Sequence, residues 1–255
     1  MKIAVCVKHA VDEAELKVDS SGNPQLAGAA SKVSTFDKNA VEEALRLKAA
    51  HGGDVTIITV GPTEAKKSMK EALAMGADRG VLVTADPMAI DTRGTAELLA
   101  AAIKKGGPYD VVLCSEGSSD IYSGLVPPML GELLGFPYFG YVRKVEVSGQ
   151  SAKVEKALED SIDVLEAPLP FVASVVSEIN EPRYPTLIQI MQAGKKPMEE
   201  ISPGALLPDS KPPPTLFTSM KAQAMARKKV VFEGAPEETA KKLVDALSGE
   251  GVLPR

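Results

Sequence analysis

Short apolar runs alternate with longer amphipathic segments through the first half of the chain. Four of these runs are nearly unbroken and rich in β-branched residues, a pattern typical of strands buried on both faces of a parallel sheet. They cover residues 3–7, 55–60, 80–84 and 111–114. Strands that alternate with helices form right-handed crossovers. We therefore predict an α/β fold, with an open, mostly parallel sheet and helices on both of its faces.

The segments between these runs predict four helices. Their limits follow from apolar residues spaced three or four positions apart, with proline at a start or glycine at an end. They cover about residues 38–51, 62–76, 92–105 and 121–135. Asp37, just before the first of them, is expected to be its N-cap, and the alternative is that residues 33–37 form a wall of a ligand site.

The pattern changes from Tyr138 onward. Four strand-like runs follow one another without a helix between them, which predicts an antiparallel extension of the sheet. They cover residues 141–147, 153–157, 162–165 and 171–176, and the turn Ser148-Gly149-Gln150 separates the first two.

The first residues of the C-terminal part, 207–216, lack the apolar pattern that would form a core. Residues 207–216 include Pro212-Pro213-Pro214, which predicts an extended linker. A strand-like run at 229–232 and a helix at about 236–248 follow. We predict one domain over residues 1–206 and a C-terminal arm over 207–255.

Residues 180–197, which we call the docking loop, combine stiff, apolar and basic features. Pro182 and Pro185 restrict the backbone, and a short apolar cluster lies between Arg183 and the pair Lys195-Lys196. Such a cluster is typical of a surface that binds another protein. The alternative is a short core helix with a basic C-terminal end.

Composition excludes several classes of function. The 255 residues carry a net charge of -5 with a pI near 5.3, which argues against nucleic acid as the main partner. No apolar run approaches the roughly 20 residues that span a bilayer. The first strand starts at Ile3 without a signal-peptide pattern, and the two cysteines, Cys6 and Cys114, lie in strand-like runs. We expect a cytoplasmic protein with reduced thiols.

A second segment, residues 115–126, predicts a ligand site, and we call it the glycine–serine loop. It follows a predicted parallel strand, and ligands of open α/β sheets bind beyond the carboxyl ends of the strands, where backbone N–H groups favour anions. Asp120 is a candidate to cap the next helix or to bind a ribose hydroxyl. Neither a P-loop nor a dinucleotide glycine motif occurs. His9 has no evident nucleophile or acid partner, so binding is favoured over catalysis.

Four segments resemble the beta subunit of electron transfer flavoproteins, a family that includes nitrogen-fixation-associated homologues. They are residues 2–8, 40–48, 72–80 and 180–196, and the resemblance extends over nearly the whole chain. It implies an adenine nucleotide alpha hydrolase-like fold and a heterodimer with an alpha subunit that holds most of the redox-active FAD. The chain would then be an electron carrier without catalytic residues of its own.

The resemblance also implies a cofactor site in this chain. Its crevice would bind AMP structurally, and Phe36 would lie near the flavin ring. The residues that match the family's site are Cys6, Ser34, Thr35, Phe36, Asp37, Val60, Ser115, Glu116, Gly117, Ser118, Ser119, Asp120, Ile121, Tyr122, Ser123, Gly124, Leu125 and Val126.

By the same resemblance, the docking loop matches the family's recognition loop, in which Leu187 would enter a pocket on a partner dehydrogenase such as acyl-CoA dehydrogenase, as in fatty acid oxidation. The expected partner-binding residues are Arg183, Tyr184, Leu187, Ile188, Ile190 and Met191. A membrane quinone oxidoreductase or ferredoxin would be the acceptor. Residues from about 207 onward would embrace the alpha subunit.

Alternatives remain open at this point. Family members that bifurcate electrons bind a second FAD in place of AMP and carry Thr and Pro where this chain has Ser123 and Pro128. Ser115, Gly117 and Leu125 depart from the commoner family residues, and Ala157 stands where a Glu can occur. The other classes are a stand-alone nucleotide-binding protein of the universal-stress type and a hydrolase or ligase that uses a nucleoside triphosphate.

Overall fold

The computed structural model describes residues 1–26, 28–208, 215, 218–219, 221–222 and 228–253. The chain divides into two units, residues 1–220 and 221–255. The proline triplet of the predicted linker lies outside the described residues. Within the described ranges, no helix combines the length and the apolar character needed to cross a bilayer.

Eleven strands and seven helices are formed by the described residues. The strands are β1 (Lys2–Cys6), β2 (His9–Val11), β3 (Ser31–Val33), β4 (Asp54–Gly61), β5 (Arg79–Thr84), β6 (Val111–Ser115), β7 (Tyr138–Ser148), β8 (Ser151–Ala157), β9 (Ile162–Pro168), β10 (Phe171–Val175) and β11 (Met198–Ile201). The helices are α1 (Thr35–His51), α2 (Lys66–Met75), α3 (Thr92–Gly106), α4 (Val126–Leu134), α5 (Leu187–Ala193), α6 (Pro203–Leu206) and α7 (Pro236–Gly249).

The main sheet confirms the predicted α/β class. Its nine strands lie in the order β11-β5-β4-β1-β6-β10-β7-β8-β9. All pairs from β11 to β7 are parallel, and only the β7–β8 and β8–β9 pairs are antiparallel. The strands β2 and β3 form a separate antiparallel ribbon. Neither this ribbon nor the edge strand β11 is evident from the apolar pattern.

Both faces of the parallel region are covered. Alternate residues of β1 contribute to two different cores, with Ile3 and Val5 in the one that includes α1 and α2. Ala4 and Cys6 belong to the other core, which includes residues of α3 and α4. This arrangement explains why the parallel strands are unbroken apolar runs rather than alternating ones.

The prediction for the run at 171–176 is wrong. We expected an antiparallel strand, but β10 pairs in parallel with both β6 and β7. All five residues of β10 are buried, so the apolar run reflects a central position in the sheet. The predicted hairpin between β7 and β8 is confirmed, and Gly149 adopts a φ of +60° at its turn.

Two helix starts also differ from the prediction. Helix α4 begins at Val126 rather than near Ile121. Pro127 and Pro128 occupy its first turn, where backbone N–H groups have no partner within the helix, so proline loses no hydrogen bond there. Helix α1 begins at Thr35, three residues earlier than expected. In the C-terminal unit, the helix is confirmed as α7, but residues 229–232 form no strand among the described residues.

Candidate functional site

The glycine–serine loop begins where the strand order of the sheet reverses. From β1 the chain proceeds to β4 on one side, whereas β6 lies on the other side of β1. The carboxyl ends of β1, β4 and β6 therefore open onto the same edge of the sheet, at a topological switch point where α/β folds bind ligands. Cys6, Val60 and Ser115 lie at or next to these three ends.

The start of α1 contacts the glycine–serine loop directly. The backbone N–H of Ser119 donates to Ser34 Oγ at 3.2 Å. Asp37 Oδ1 lies 2.5 Å from Ser115 Oγ, and Asp37 Oδ2 accepts a 2.6 Å hydrogen bond from the backbone N–H of Lys8. The structure thus brings together two of the segments that the sequence analysis had assigned to one site.

The prediction that Asp37 is the N-cap of α1 is wrong. Ser34 occupies the capping position, and its side chain makes no capping hydrogen bond. Asp37 lies inside the first turn and is only 4% exposed. Its carboxyl group bonds to Lys8 and Ser115 instead of to the backbone of its own helix, so it links the helix to two strand ends.

Burial raises the pKa of Asp37 to about 7, although hydrogen bonds from Lys8 and Ser115 favour its charged form. Ser115 Oγ donates toward Asp37 Oδ1 at 2.5 Å and also lies 2.8 Å from the Gly117 carbonyl oxygen. Because a hydroxyl group has a single hydrogen to donate, these two acceptors share it.

Lys8 provides a positive charge at the loop, and the sequence analysis did not include it in the site. Its Nζ lies 2.7 Å from Asp120 Oδ1 and 3.3 Å from Ser118 Oγ. Burial alone raises the pKa of Asp120, but the hydrogen bonds from Lys8 and Ser118 and the charge of Lys8 lower it below its ordinary value. The position of Lys8, two residues after the end of β1, was the signal available in the sequence.

Asp120 does not cap a helix, contrary to one of its predicted roles. It accepts hydrogen bonds from the Ser118 hydroxyl at 2.6 Å and from the Ile121 N–H at 2.8 Å, and α4 begins only at Val126. Its carboxylate instead stabilises the turn of the loop and holds the ammonium group of Lys8.

An aromatic pair covers one side of the loop. The rings of Phe36 and Tyr122 lie 5.3 Å apart, edge to face at 65°. A Cβ atom on Gly117 would come within 2.6 Å of the Tyr122 ring, so the glycine permits this packing. Thr35, Ile121 and Leu125 are exposed. Glu116 follows β6 directly, and its backbone N–H donates to the Val175 carbonyl at 3.0 Å. The remaining predicted site residues, Ser123, Gly124 and Val126, lead from the loop into α4.

The residues present fit a polar, anionic ligand. Ser119 Oγ is buried and has no hydrogen-bond partner among the described residues, and such a group is normally satisfied by a partner or by bound water. Lys8, Ser118 and Ser34 supply a cation and further hydroxyl groups nearby. This combination of an unsatisfied hydroxyl, a lysine and a close glycine turn is suited to the phosphate and sugar of a nucleotide.

The docking loop contains a short helix, α5, that contributes Ala193 to the hydrophobic core. Thr186 and Gln189 form a reciprocal capping box at the start of α5. Only Ala193 of the helix is buried, whereas Leu187 and Met191 are 73% and 71% exposed. Ile188, Ile190 and Tyr184 are also exposed. The short helix that the core-helix alternative expects is therefore present. Its apolar side chains are nevertheless exposed, as the docking interpretation expects.

Arg183 lies apart from this exposed surface. Its guanidinium group forms two hydrogen bonds with Glu42 of α1, at 2.7 and 2.9 Å. The predicted partner-binding residues therefore divide into an apolar set on α5 with Tyr184 beside it, and one arginine already engaged within the chain.

The chain is similar in sequence to a known family of proteins. The family model described as "Electron transfer flavoprotein domain" matches residues 26–206. The chain is 36% identical over 261 residues to the electron transfer flavoprotein subunit beta of Thermoanaerobacterium thermosaccharolyticum, covering 99% of this chain and 100% of the relative.

Two further relatives carry the same description. The Clostridium acetobutylicum protein is 41% identical over 198 residues, covering 77% of this chain and 76% of the relative. The Bacillus subtilis protein is 33% identical over 253 residues, covering 98% of each chain. The matched region includes the crevice segments from Ser34 onward and the docking loop.

Proposed function

This chain belongs to the family of electron transfer flavoprotein beta subunits, and from that premise we propose that it is one half of a heterodimeric electron carrier. The observation that carries the proposal is the docking loop. An apolar helix that is exposed while its base is fixed to the domain is suited to a brief contact with a second protein, as electron carriers require.

We propose that the partner subunit, an alpha subunit, holds most of the FAD. FAD supplies the redox chemistry when it is bound, and the protein supplies position and electrostatics. Phe36 is partly exposed and packed against Tyr122, so this pair is suited to line one side of an aromatic cofactor and to exclude water there.

In the crevice, we propose that AMP binds in a structural role. Lys8, Ser118 and Ser119 would hold the phosphate, because they provide a positive charge and hydroxyl donors at the end of β1 and in the glycine–serine loop. Asp37 and Ser115 are hydrogen-bonded to each other at the start of the loop and would fix its shape. No acid–base pair is needed for this role, since the nucleotide is bound without being converted.

The docking loop would bind the electron donor, for which we propose a dehydrogenase such as acyl-CoA dehydrogenase. Leu187, with Ile188, Ile190, Met191 and Tyr184, would form the contact, and a quinone oxidoreductase or a ferredoxin would accept the electrons. A small apolar contact of this kind gives rapid dissociation. A carrier needs rapid dissociation because it must leave the donor before it reaches the acceptor.

The C-terminal arm, residues 207–255, would pack on the alpha subunit. In this unit Leu243 and Val244 of α7 are about half exposed, and Val230 and Val231 are more so. Apolar surface of this extent on a short terminal unit favours a covered position in an assembly.

The proposal is tested by coexpressing the chain with its alpha subunit and measuring the nucleotides released by acid. We expect one FAD and one AMP per heterodimer. Two FAD and no AMP would replace the AMP assignment with a second flavin in the crevice, as in bifurcating members of the family. A flavin-free homodimer would overturn the carrier function and favour a stand-alone nucleotide-binding protein.

A further inference from the structure

The docking loop is attached at its start to α1 through a buried carboxylate. Glu42 has a side chain that is only 5% exposed, and it receives both hydrogen bonds from the guanidinium group of Arg183. The backbone N–H of Arg183 donates to the same carboxylate at 3.2 Å. Bidentate, charge-assisted pairs of this kind fix orientation as well as distance. The guanidinium therefore determines where the chain enters the docking loop.

A pair of asparagines strengthens the same attachment. Asn39 of α1 donates from Nδ2 to the carbonyl oxygens of Ser177 and Asn180, each at 2.9 Å. In return, Asn180 Nδ2 donates to the Asn39 carbonyl at 3.0 Å and to Glu43 Oε2 at 3.1 Å. Asn39, Glu42 and Glu43 of α1 thus all bind the segment that leads into α5.

The end of the docking loop is attached to a different helix. Lys196 Nζ donates to the carbonyl oxygens of Leu73 and Ala77, at 2.8 and 2.6 Å. Leu73 lies in the last turn of α2 and Ala77 just beyond its end, where the helix dipole favours a cation. Lys195, its neighbour in the sequence, is exposed.

Between the two attachments, α5 has only seven residues. A helix of that length is unstable in isolation, and the apolar side chains of α5 point away from the core that would normally hold it. Its shape and direction therefore depend on the capping box, on the buried Ala193 and on the two attachments.

We propose that Arg183 and Lys196 are positioning residues for partner recognition. They act through Glu42 and through the carbonyls at the end of α2, and they do not touch the partner. Together they hold α5 in the one orientation that presents Leu187 and Met191 to the donor protein. This inference rests on the proposed role of the docking loop as the donor-binding surface.

Loss of an attachment lowers the fraction of molecules in the binding-competent arrangement, and the apparent affinity falls by the same factor. Because this effect acts before the chemistry, it raises the KM for the donor and leaves kcat unchanged. A residue that only stabilised the fold would lower the melting temperature of the domain without this separation of KM from kcat.

The experiment uses the heterodimer with an acyl-CoA dehydrogenase, reduced by its acyl-CoA substrate, as the probe. The variants are Arg183→Gln and Lys196→Met. Each has a matched control: Arg46→Gln removes another arginine from Glu42, at 3.2 Å within α1, and Lys195→Met removes the neighbouring lysine. Arg183→Lys keeps the charge but not the bidentate geometry.

We expect the KM for the dehydrogenase to rise about tenfold for Arg183→Gln and Lys196→Met, with kcat unchanged. Amide hydrogen exchange in residues 187–193 should become faster in the same variants. The two controls should match the wild type, and Arg183→Lys should lie between.

Unchanged KM and unchanged exchange in both variants would overturn the inference. A uniform loss of stability, with flavin loss and equal effects on KM and kcat, would overturn it as well, because the residues would then be structural. Leu187→Ala separates this inference from the proposed function. If that variant also has a normal KM, the docking loop is not the donor-binding surface; if only Leu187→Ala raises KM, the docking role stands and the positioning role fails.

Discussion

Two carboxyl groups five residues apart on α1 show how the electrostatics of the glycine–serine loop differ from those of the docking loop. Asp37 and Glu42 are each 4% exposed. Burial raises the pKa of Asp37 to about 7, because no cation pairs with its carboxyl group directly. Burial also opposes the charge of Glu42, but hydrogen bonds from Arg183 and Arg46 outweigh it and hold the pKa of Glu42 below its ordinary value. The same helix therefore carries one carboxyl group whose pKa is raised to about 7 and another whose pKa is lowered.

This difference matches what each region must do. In the glycine–serine loop, the raised pKa of Asp37 reduces the negative charge beside Asp120, and Ser115 lies within hydrogen-bond distance of both Asp37 and the Gly117 carbonyl oxygen. At the docking loop, the Glu42 carboxylate holds the guanidinium group of Arg183 and so attaches an exposed loop to α1. Burial opposes the charge of both carboxyl groups, and only at Glu42 do hydrogen bonds from arginine outweigh it.

The pH dependence of Asp37 gives the largest expected effect. A raised pKa in the folded state stabilises the fold fully below the ordinary value of 3.8, and this stabilisation is lost as the pH rises to about 7. Asp37→Asn mimics the protonated form and removes the dependence. We expect the unfolding free energy of the wild type to fall relative to the variant by on the order of 1 kcal/mol per pH unit in this window, measured by urea denaturation between pH 4 and 8 (the window set by those two pKa values).

Asp120→Asn is the matched control, because the pKa of Asp120 is shifted in the opposite direction. Its contribution to stability is present above its ordinary pKa and is lost as the pH falls through the lowered value. Parallel pH profiles for the wild type and Asp37→Asn would mean that Asp37 is ionised when folded, and the comparison with Glu42 would fail.

A bulky side chain in the glycine–serine loop tests whether the crevice binds a nucleotide. Ser119→Leu fills the space around a buried hydroxyl that has no partner among the described residues, and it removes the proposed donor to the nucleotide. We expect AMP affinity to fall by about 100-fold, from overpacking and a lost hydrogen bond together. The measurement is AMP retained by the purified heterodimer. Ser161→Leu, at an exposed turn, is the control, and equal AMP in both variants would place the nucleotide elsewhere.

Leu187→Ala tests the other half of the comparison. This side chain is 73% exposed, so its truncation should leave folding unchanged. As a buried anchor in a complex, Leu187 should contribute about 2 kcal/mol to the binding free energy. Loss of this contribution should raise the KM for the donor roughly 30-fold. Stopped-flow reduction of the flavin by a dehydrogenase measures this. The control is Met88→Ala, an exposed apolar side chain outside the docking loop. Loss of flavin from Leu187→Ala would instead indicate a structural loop.

Sequence patterns predicted those features that depend on neighbouring residues. The parallel strands follow from their β-branched runs, and α7 follows from its amphipathic spacing. The direction of β10 could not be predicted, because its run of five buried residues is the same for a parallel or an antiparallel neighbour. The start of α4 was misjudged because Ile121 and Leu125 extend its apolar pattern, although Pro127 and Pro128 mark the true first turn.

The candidate site was predicted as a set of segments but not as a set of interactions. Asp37 reads as a helix cap in the sequence, since its contact with Ser115 joins residues 78 positions apart. Lys8 was missed for the same reason, because its partner Asp120 is 112 positions away. The attachment of Arg183 to Glu42 spans 141 positions, so its charge could be assigned only to the protein surface.

Asn39→Ala gives the smallest expected effect and tests whether α1 keeps its two regions separate. Asn39 lies between Asp37 and Glu42, and its side chain donates to Ser177, just before the docking loop, and to Asn180 at the start of that loop. Because Arg183 and the Asn180 side chain keep their own bonds to α1, we expect a loss of about 1 kcal/mol in stability. The KM for the donor should rise about threefold for the same reason, with AMP content unchanged. Denaturant unfolding, donor titration and nucleotide release measure the three. A fall in bound AMP would show that the helix transmits changes from one region to the other, and the crevice and docking loop would then have to be treated as one coupled site.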